Sequence, residues 1–307
     1  MKIITLTLSP AYDVHAYSDK FDVGRENLAR ILSRDAGGKG LNISRALTEY
    51  GVENTAVLLL GDEDSWDFEE AVKKANINSQ ILKTTGRIRE NITIHTDCGE
   101  TRISFTGVSA STETLSEIKK LTRLCRGDIL TVTGRIPEGI PLSELKSYLV
   151  ELKERGIRIV IDSRSFTLLD IADVKPWLIK PKYEDISEYM KKDIKDIDSA
   201  IDSAKEIFNM GIDLVLISLG KEGAVLFDGK KALCAGVPEI NTVSTIGAGD
   251  SMIAGFIAGI SEGKDTVEAL RYASAFGVSA CLTEGTCPPK KAQIQEMTKK
   301  IKIYERS

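Results

Sequence analysis

The chain has 307 residues, of which 42 % are hydrophobic and 28 % are charged, proportions that are ordinary for a globular protein. Its formal net charge of −4 argues against nucleic acid or an anionic membrane as the main partner. No segment approaches the ~18 apolar residues of a membrane span, and the first residues alternate like a strand rather than a signal peptide. Five scattered cysteines and two histidines offer little material for zinc. We therefore predict a reduced, cytoplasmic protein with no nucleic-acid or membrane partner.

The first predicted strand, Ile3 to Leu8, leads into the turn Ser9-Pro10-Ala11-Tyr12-Asp13. Ligands of parallel α/β sheets gather at the carboxyl ends of strands, so Asp13 is a candidate for holding a sugar hydroxyl. The alternative is a turn residue that follows a proline. A second short strand is predicted over Val14 to Phe21.

A glycine-rich turn then feeds a predicted helix, in the segment Asp35-Ala36-Gly37-Gly38-Lys39-Gly40-Leu41-Asn42. The N–H groups at the start of a helix attract anions, and Lys39 adds a positive charge. The alternative is a flexible surface turn with a solvated lysine. The turn and its lysine are therefore candidates for binding a phosphorylated ligand.

An alternating segment interrupts the α/β pattern further along. In the strand over residues 87–94, one face carries Arg87, Arg89, Asn91 and Thr93, and the other carries Ile88, Ile92 and Ile94. A return strand over residues 101–106 places Arg102 and Ser104 opposite Ile103 and Phe105. The polar face carries groups that bind a sugar phosphate, although an amphipathic sheet with its polar side in water is the alternative. We predict that this hairpin belongs to a separate lid.

From residue 115 onward, predicted helices and strands alternate. The strands lie at 129–133, 158–162, 177–182 and 214–220, with helices at 115–125, 142–155 and 197–210 and a hairpin over 224–234. Strands rich in Val, Ile and Leu that alternate with helices indicate a parallel sheet covered on both faces. No linker or repeat is present, so we predict one domain over 1–307, with a β lid formed by about 12–34 and 86–107.

The most informative stretch is Ser244-Thr245-Ile246-Gly247-Ala248-Gly249-Asp250-Ser251, placed between a predicted strand near Ile240 to Val243 and an apolar helix over 252–260. Glycines at 247 and 249 permit positive φ and leave room for a ligand, and the helix N-terminus favours an anion. Asp250 can take a proton from a hydroxyl while the amides hold charge on a transferred phosphoryl group. The alternative is that Asp250 caps the helix. The segment is neither a Walker A loop nor a good dinucleotide fingerprint.

One more turn completes the predicted crevice at the carboxyl ends of the strands. The segment Ser218-Leu219-Gly220-Lys221-Glu222-Gly223 offers a hydroxyl, two glycine turns and a lysine, which suit the phosphates or ribose of a nucleotide. The alternative is a plain strand–turn–strand. Arg135, Asp162 and Lys182 also follow predicted strands, so we expect them in the same crevice. Together these features predict phosphoryl transfer from a nucleotide to a phosphorylated sugar.

Two of these motifs resemble those of a known family, the ribokinase/PfkB sugar kinases. The motifs are Ala36 to Asn42 and Val243 to Ser251, and the resemblance runs from about residue 3 to beyond residue 285. Tyr12-Asp13 and the lysine at position 39 point to the 1-phosphofructokinase and tagatose-6-phosphate kinase branch. The resemblance implies a ribokinase-like three-layer α/β/α sandwich with a mostly parallel central sheet, a small β-sheet lid and often a homodimer formed through the lid.

The resemblance also implies the ligands and the residues that bind them. ATP would be the donor and Mg²⁺ the metal, with K⁺ as a further candidate ion. Asp250 would be the catalytic base, with the backbone of Gly247, Ala248 and Gly249 as its anion hole. The sugar phosphate would be bound by Asp13, Gly37, Gly38, Lys39, Asn42, Arg89 and Arg102. Ser218, Gly220 and Gly223 match ATP-site positions of the family. As further candidates for binding ATP we add Lys182, Lys221, Gly247, Gly249 and Ser251.

The chain departs from the family pattern at two places. The family usually has Lys-Pro-Asn-x-x-Glu where this chain has Lys180-Pro181-Lys182-Tyr183-Glu184-Asp185. Asp185 keeps a carboxylate for the water shell of Mg²⁺, whereas Lys182 could neutralise the ATP phosphates directly. The branch usually has Gly-Ser-Leu-Pro where this chain has Gly134-Arg135-Ile136-Pro137. Arg135 would either add a phosphate contact in the substrate site or shift the preference toward another phosphosugar.

The functional expectation is ATP-dependent phosphorylation of a ketohexose monophosphate, with fructose 1-phosphate to fructose 1,6-bisphosphate as the first choice. Tagatose 6-phosphate or fructose 6-phosphate is the alternative substrate, because lysine and arginine recognise a phosphate without reporting which carbon carries it. A sugar-phosphate sensor is the non-enzymatic alternative. The predicted dimer would form through the apolar lid face, which consists of Ile88, Ile92, Ile94, Ile103 and Phe105.

Overall fold

A computed structural model describes residues 1–194 and 196–306 of the chain. Its strands are β1 Ile3–Thr7, β2 Ala11–Tyr17, β3 Arg30–Gly37, β4 Thr55–Gly61, β5 Ser79–Thr84, β6 Arg89–Thr96, β7 Gly99–Ser104, β8 Ile129–Thr133, β9 Arg158–Asp162, β10 Leu178–Ile179, β11 Leu214–Ser218, β12 Ala224–Phe227, β13 Ala232–Gly236 and β14 Lys302–Arg306. Its α-helices are α1 Lys39–Tyr50, α2 Trp66–Lys74, α3 Thr112–Leu121, α4 Leu142–Glu154, α5 Leu168–Val174, α6 Tyr183–Met190, α7 Ile197–Phe208, α8 Ala248–Ser261, α9 Thr266–Ala280 and α10 Lys291–Lys300.

The central sheet has ten strands in the order β14-β13-β12-β11-β10-β9-β8-β1-β4-β5 within the described chain. Neighbouring strands pair in parallel along the run β11-β10-β9-β8-β1-β4-β5. Strands β12, β13 and β14 extend this run as an antiparallel edge. Every residue of β4 is buried, as expected for a parallel strand that is covered on both faces. The predicted ribokinase-like α/β class is therefore confirmed.

Helices cover both faces of this sheet and create two main apolar cores. On one face, α1, α8, α9 and α10 enclose a cluster that includes Leu47, Phe256 and Phe276. On the other face, α3 to α7 enclose a cluster that includes Leu149 and Ile201. Burying one such side chain contributes about 1.5–3 kcal/mol, so the two cores hold the strand ends and helix N-termini rigidly in place. In the described part of the chain, no helix is long and apolar enough to cross a bilayer.

The small sheet has four strands in the order β3-β2-β6-β7, so the predicted hairpin β6–β7 does not stand alone. Strand β2 pairs in parallel with β6 and in an antiparallel fashion with β3. One face of the sheet carries the buried polar residues Asp13, Asn91 and Thr93. The opposite face carries apolar residues beside the ion pair of Arg34 and Glu90, and it is partly open, because Ile31 and Phe105 remain 70 % and 49 % exposed.

Several predicted elements differ from the structure. The strand expected near Ile240 to Val243 is wrong: this segment is irregular, Val243 is 59 % exposed, and its N–H donates to the carbonyl of Cys281 at 2.8 Å. Its β-branched residues therefore do not pack into a sheet, which is what gives them strand preference. The strand predicted over Val14 to Phe21 is shifted, since β2 ends at Tyr17. The helix predicted to reach Cys125 ends at Leu121.

Candidate active site

The two glycine motifs, about 200 residues apart in sequence, meet at the carboxyl edge of the central sheet. The side-chain amide of Asn42, in the first turns of α1, donates from Nδ2 to Oδ2 of Asp250 at 2.9 Å. Lys39, at the start of α1, reaches Asp162 at the end of β9, with Nζ 3.0 Å from Oδ2. The predicted sugar motif, the predicted base and a strand end thus form one cluster.

Asp250 is a buried carboxyl group, with only 7 % of the residue exposed. Its pKa is raised to about 6, mainly by burial and in part by the charge of Asp162, although Lys39, Asn42 and Lys180 act in the opposite direction. A carboxylate with this pKa is ionised at neutral pH and is more basic than an ordinary aspartate. Asp250 therefore has the properties of a general base that works near neutral pH.

The turn that precedes Asp250 presents bare backbone. Gly247 caps α8 with φ 78° and ψ −6°, a left-handed conformation that favours glycine. The N–H groups in the first turn of a helix have no partner within the helix, so they are available to an anion. At Gly249 a Cβ would lie 2.9 Å from Nζ of Lys180, so a side chain would collide with this lysine. The turn thus combines free N–H groups with a positive charge underneath.

Asp162 carries a buried negative charge between two lysines. Its Oδ2 lies 3.0 Å from Nζ of Lys39 and 3.8 Å from Nζ of Lys180. Burial alone would raise the pKa of Asp162, but the two lysines hold it below its usual value. Burial lowers the pKa of Lys180, and Asp162 opposes that change. All three groups therefore influence one another and the neighbouring Asp250.

The polar face of the small sheet gathers the predicted sugar-phosphate residues around Asp13. Asn91 donates from Nδ2 to Oδ1 of Asp13 at 2.9 Å, and Nη2 of Arg102 lies 3.4 Å from the same oxygen. Arg89 donates to Oδ1 of Asn91 at 2.7 Å and to Oγ of Ser9 at 3.0 Å. Hydrogen bonds thus connect Arg89, Asn91, Asp13 and Arg102, in that order, along one face.

This face has an excess of positive charge. Burial lowers the pKa of Arg89, and the neighbouring charges of Arg135 and Arg102 lower it further, while Asp13 raises it. Arg89 thus experiences two other guanidinium charges and one carboxylate, and a further anion would reduce the repulsion that remains. Arginine is suited to bidentate phosphate binding, so the cluster is a candidate phosphate site.

Two predicted glycines are required where the sugar motif approaches the small sheet. At Gly37 a Cβ would lie 2.2 Å from Oδ2 of Asp13, so any side chain would displace this carboxylate. Gly38 has φ 126° and also lies against Thr7 and Pro10. These glycines keep α1 close to Asp13, as a site for one small ligand requires.

A large cavity of about 1020 Å³ lies on the other side of the α8 N-terminus. Six of the residues predicted to bind ATP line it, namely Lys182, Ser218, Gly220, Lys221, Gly223 and Gly249. Thr245, Ala248 and Met252 also contribute to its wall. The other two predicted ATP residues, Gly247 and Ser251, do not line it. The cavity is large enough for a nucleotide.

Asp185 is predicted to order the water shell of a metal ion, but both of its carboxylate oxygens already accept hydrogen bonds from the protein. Arg164 donates from Nε and Nη2 to Oδ1 of Asp185 at 2.9 and 2.6 Å, and the backbone N–H of Lys182 donates to Oδ2 at 3.2 Å. In the described chain, no group of three or more His, Cys, Asp or Glu residues is arranged to hold a metal ion. The residues present therefore do not form a protein ligand set for a metal ion.

Three residues of this cluster received no specific role from the sequence. Asn91 belongs to the predicted polar face but was not assigned to the site. Arg164 and Lys180 carry charges that are common on protein surfaces, and Lys180 is instead 1 % exposed. The available signal for Lys180 was its position at the end of a buried strand, directly before Pro181.

Comparison with known proteins is consistent with this geometry. A model described as pfkB family carbohydrate kinase matches residues 4–293. The 1-phosphofructokinase of Haemophilus influenzae is 30 % identical over 284 residues, which cover 90 % of this chain and 91 % of that protein. A tagatose-6-phosphate kinase of Staphylococcus epidermidis is 30 % identical over 311 residues and covers 99 % of both. The solved phosphofructokinase-2 from Escherichia coli in complex with substrates and products superposes with a TM-score of 0.89 at 23 % identity, over 98 % of this chain and 99 % of that chain.

The family model spans both glycine motifs and the buried aspartate that follows the second one. The superposition covers the central sheet and the small sheet together, since it includes nearly the whole chain. The resemblance read from the two motifs is thereby confirmed. This chain belongs to the pfkB family of carbohydrate kinases.

Proposed function

We propose that the chain transfers the γ-phosphoryl group of ATP to fructose 1-phosphate and produces fructose 1,6-bisphosphate. Membership of the family makes it a phosphotransferase, and its relatives make it an ATP-dependent kinase of ketohexose phosphates. The observation that carries the proposal is the 2.9 Å hydrogen bond between Asn42 and Asp250. This bond supports the role of Asp250 as the base, because it links that carboxylate at the N-terminus of α8 to the predicted sugar motif.

The reaction follows from the positions of these groups. Asp250 accepts the proton of the sugar hydroxyl as the hydroxyl oxygen forms its bond to the γ-phosphorus. The bond between that phosphorus and the β–γ bridging oxygen breaks, and its electron pair leaves with ADP. The N–H groups of Gly247 and Gly249 stabilise charge on the transferred group. ATP would enter through the cavity lined by Lys182, Ser218 and Lys221.

The arginine cluster favours a substrate that already carries a phosphate. The charges of Arg102 and Arg135 both act on Arg89, where Asp13 supplies a negative charge, and a second anion would relieve the repulsion among the arginines. Lys39 extends this positive charge toward Asp250. An unphosphorylated sugar would leave these cations uncompensated, so we expect it to be a poor substrate.

Two alternatives keep support of different kinds. Tagatose 6-phosphate is favoured by the relative from Staphylococcus epidermidis, which matches this chain at the same 30 % identity as the 1-phosphofructokinase. A sugar-phosphate sensor is disfavoured by Asp250, because a buried carboxylate costs stability and repels the phosphate that a sensor would have to bind. Measured turnover decides between an enzyme and a sensor.

We propose Mg²⁺ as the divalent metal, held by the phosphates of the nucleotide. Bound there, it would neutralise phosphate charge. We assign no step of the reaction to a metal on Asp185, because Arg164 has to move before that carboxylate is free. The prediction of K⁺ as a further ion stays a prediction, although one solved phosphofructokinase-2 is described in complex with potassium. Replacement of K⁺ by Na⁺ in the assay tests it.

We also propose a homodimer formed through the apolar face of the small sheet, which would act as a lid over the sugar site. The face includes Ile31, Ile103 and Phe105, which are 70 %, 40 % and 49 % exposed. Apolar patches of this kind mark interaction sites. Phe105→Asp should give a monomer in light scattering, and a wild-type monomer would contradict the proposal.

The cytoplasmic location, predicted from five scattered cysteines, stays a prediction.

The experiment that tests the function measures ADP release with MgATP. The acceptors are fructose 1-phosphate, fructose 6-phosphate, tagatose 6-phosphate and unphosphorylated fructose. We expect fructose 1-phosphate to give the highest kcat/KM, with Asp250→Asn slower by at least ~10²-fold for loss of a general base. Preference for another phosphosugar would correct the substrate, and no turnover with any of them would contradict the kinase function.

A further inference from the structure

The two histidines of the chain lie against each other on the polar face of the small sheet, although 80 residues separate them in sequence. Nδ1 of His15 on β2 is 2.9 Å from Nε2 of His95 on β6, and their rings are parallel within 14° with centroids 5.2 Å apart. In either tautomer, one ring donates this hydrogen bond and the other accepts it. His15 is 8 % exposed, so His95 fixes the orientation of a buried ring.

The opposite edge of the His15 ring faces the loop between α9 and α10, residues 281–290. A Cβ on Gly285 would lie 3.3 Å from Nε2 of His15 and 3.7 Å from its Cδ2. Gly285 has φ 54°, a left-handed conformation that favours glycine. The glycine lets the ring approach the backbone of the loop, and His15 thereby joins the small sheet to the rest of the fold.

The next residue of this α9–α10 loop packs against the anion-binding turn, residues 247–249. Thr286 is 8 % exposed, and its Cα and Cγ2 lie 3.8 and 3.9 Å from the position that a Cβ on Gly247 would take. The loop is also joined to the segment before the turn, since the N–H of Val243 donates to the carbonyl of Cys281 at 2.8 Å. Because packed interiors leave few voids, a displacement of the loop would also displace the turn.

The other end of this series of contacts is the candidate sugar residue Asp13. His15 follows Asp13 by two residues on β2, so both side chains project from the same face. Asp13 and His15 pair with Asn91 and Thr93 of β6 in one continuous register. The strand that carries the sugar contact therefore also carries the contact to the loop, and it connects the sugar side of the candidate site to the phosphoryl side.

We propose that His15 is a positioning residue, which is oriented by His95 and holds the α9–α10 loop, and through it the anion-binding turn, in the geometry that phosphoryl transfer requires. The inference rests on the proposed kinase function and adds a residue to it. The His15 ring forms and breaks no bond in the reaction. Its effect is geometric, because a displacement of about 1 Å in a group that contacts the transition state can lower a rate by ~10²-fold.

The first test is His15→Asn, because asparagine can still hydrogen-bond to His95 from the position of Nδ1 but lacks the ring edge that faces Gly285. We expect kcat to fall by at least ~10-fold as the turn loses part of its alignment. The KM values for ATP and the sugar phosphate should change by less than about three-fold, because a displaced turn acts on the transition state. The control is Tyr17→Phe, which removes a hydrogen bond to Asp97 from the same face of β2 and should leave kcat unchanged.

Variants of His95 separate the orientation of the ring from its packing. His95→Gln can place its amide where Nε2 lies and keep the hydrogen bond to His15, so kcat should stay within about three-fold of wild type. His95→Leu fills similar space without this hydrogen bond, so kcat should fall as it does in His15→Asn. Rescue by glutamine and not by leucine is not expected from a pair that only fills space.

A double-mutant cycle tests the contact with the loop. Gly285→Ala adds a methyl group 3.3 Å from Nε2 of His15 and should lower kcat by at least ~10-fold. Combined with His15→Asn, the same methyl group enters the space that the ring has left, so the double variant should be no slower than either single variant. The strain of an alanine with left-handed backbone is present in both backgrounds and cancels in the cycle.

All rates are measured well below the Tm of each variant, so that a loss of stability alone leaves kcat unchanged. A wild type that phosphorylates a ketohexose phosphate, together with His15→Asn that keeps kcat within about three-fold, would overturn the inference and leave the kinase function standing. Additive losses in the cycle would also overturn it. A wild type that phosphorylates no ketohexose phosphate would overturn the function and the inference together. A low kcat with unchanged KM, rescue by His95→Gln and a non-additive cycle is the expected result.

Discussion

Replacement of Asp250 by asparagine should abolish activity and make the protein more stable at neutral pH. The carboxyl pKa rises from 3.8 to about 6 in the folded protein, mainly through burial. At about 1.4 kcal/mol per pKa unit, ionising this group costs the folded state about 3 kcal/mol at any pH well above 6. Asparagine has nearly the same shape, can still accept the hydrogen bond from Asn42, and does not carry this cost.

The stability gained by Asp250→Asn should depend on pH, because only the ionised carboxyl group is costly to bury. A carboxyl group whose pKa is raised by folding imposes no penalty below about pH 4, and the penalty grows as pH rises through about 6. The stability difference between Asp250→Asn and wild type should therefore be near zero at pH 4 and about 3 kcal/mol at pH 8. For a chain of this length, the difference at pH 8 corresponds to an increase in Tm of about 5 °C.

Thermal and urea unfolding at pH 4, 6 and 8 measure this difference directly. The control is Asp228→Asn, because Asp228 lies in an exposed hairpin turn, where it accepts from the N–H groups of Lys230 and Lys231. This control removes a carboxylate outside the buried site and should not reproduce the gain of Asp250→Asn. A variant Asp250→Asn that is less stable than wild type at pH 8, or equally shifted at pH 4 and pH 8, would refute the assignment of a buried carboxylate that is costly to ionise.

Three further predictions concern the same site. Asn42→Ala removes the donor to Asp250 and should move the acid limb of kcat from near pH 6 upward by about one unit, because a hydrogen bond to a charged group contributes about 1.5–3 kcal/mol; an unmoved limb in a pH–rate profile would count against it. Gly249→Ala should lower kcat by at least ~10²-fold as the anion hole is displaced, with little loss of Tm; near-normal turnover would show that the turn does not contact the reacting group. Arg164→Ala frees Asp185 and should tighten the binding of Mn²⁺, followed by its paramagnetic resonance; unchanged binding would mean that the carboxylate is not a metal site in either form.

The repeated α/β pattern was enough to predict the architecture. Strands such as Ala56 to Leu60 are apolar throughout, and a strand that is apolar on both faces has to be covered on both faces. Strand β14 escaped prediction because Lys302 to Arg306 are largely polar and owe their conformation to pairing with β13. The opposite error occurred at Val243, where a β-branched residue predicted a strand but the side chain is exposed and packs into no sheet. Pairing between distant segments is not contained in local preference.

The candidate site divides in a similar way. Gly247, Gly249 and Asp250 were predictable because glycines before a helix that starts with an acid are an unusual local pattern. The hydrogen bond from Asn42 depends on the packing of α1 against α8, and the paired lysines around Asp162 depend on strand ends that lie far apart in sequence, which no local pattern reports. The hydrogen bonds from Arg164 to Asp185 join two side chains that lie 21 residues apart in sequence, so they depend on side-chain geometry in the folded protein. Local motifs thus predicted which residues matter, and tertiary structure determined how their charges are paired.

The most direct test of the account is the steady-state rate of ADP formation with MgATP and fructose 1-phosphate, measured for wild type and for Asp250→Asn across pH 5 to 9. The account predicts a wild-type kcat that rises with pH through about 6 and then levels, and a variant reduced by at least ~10²-fold at every pH. A variant that retains most of the wild-type rate would show that Asp250 is not the base. An absence of wild-type turnover with this and the other ketohexose phosphates would contradict the proposed reaction itself.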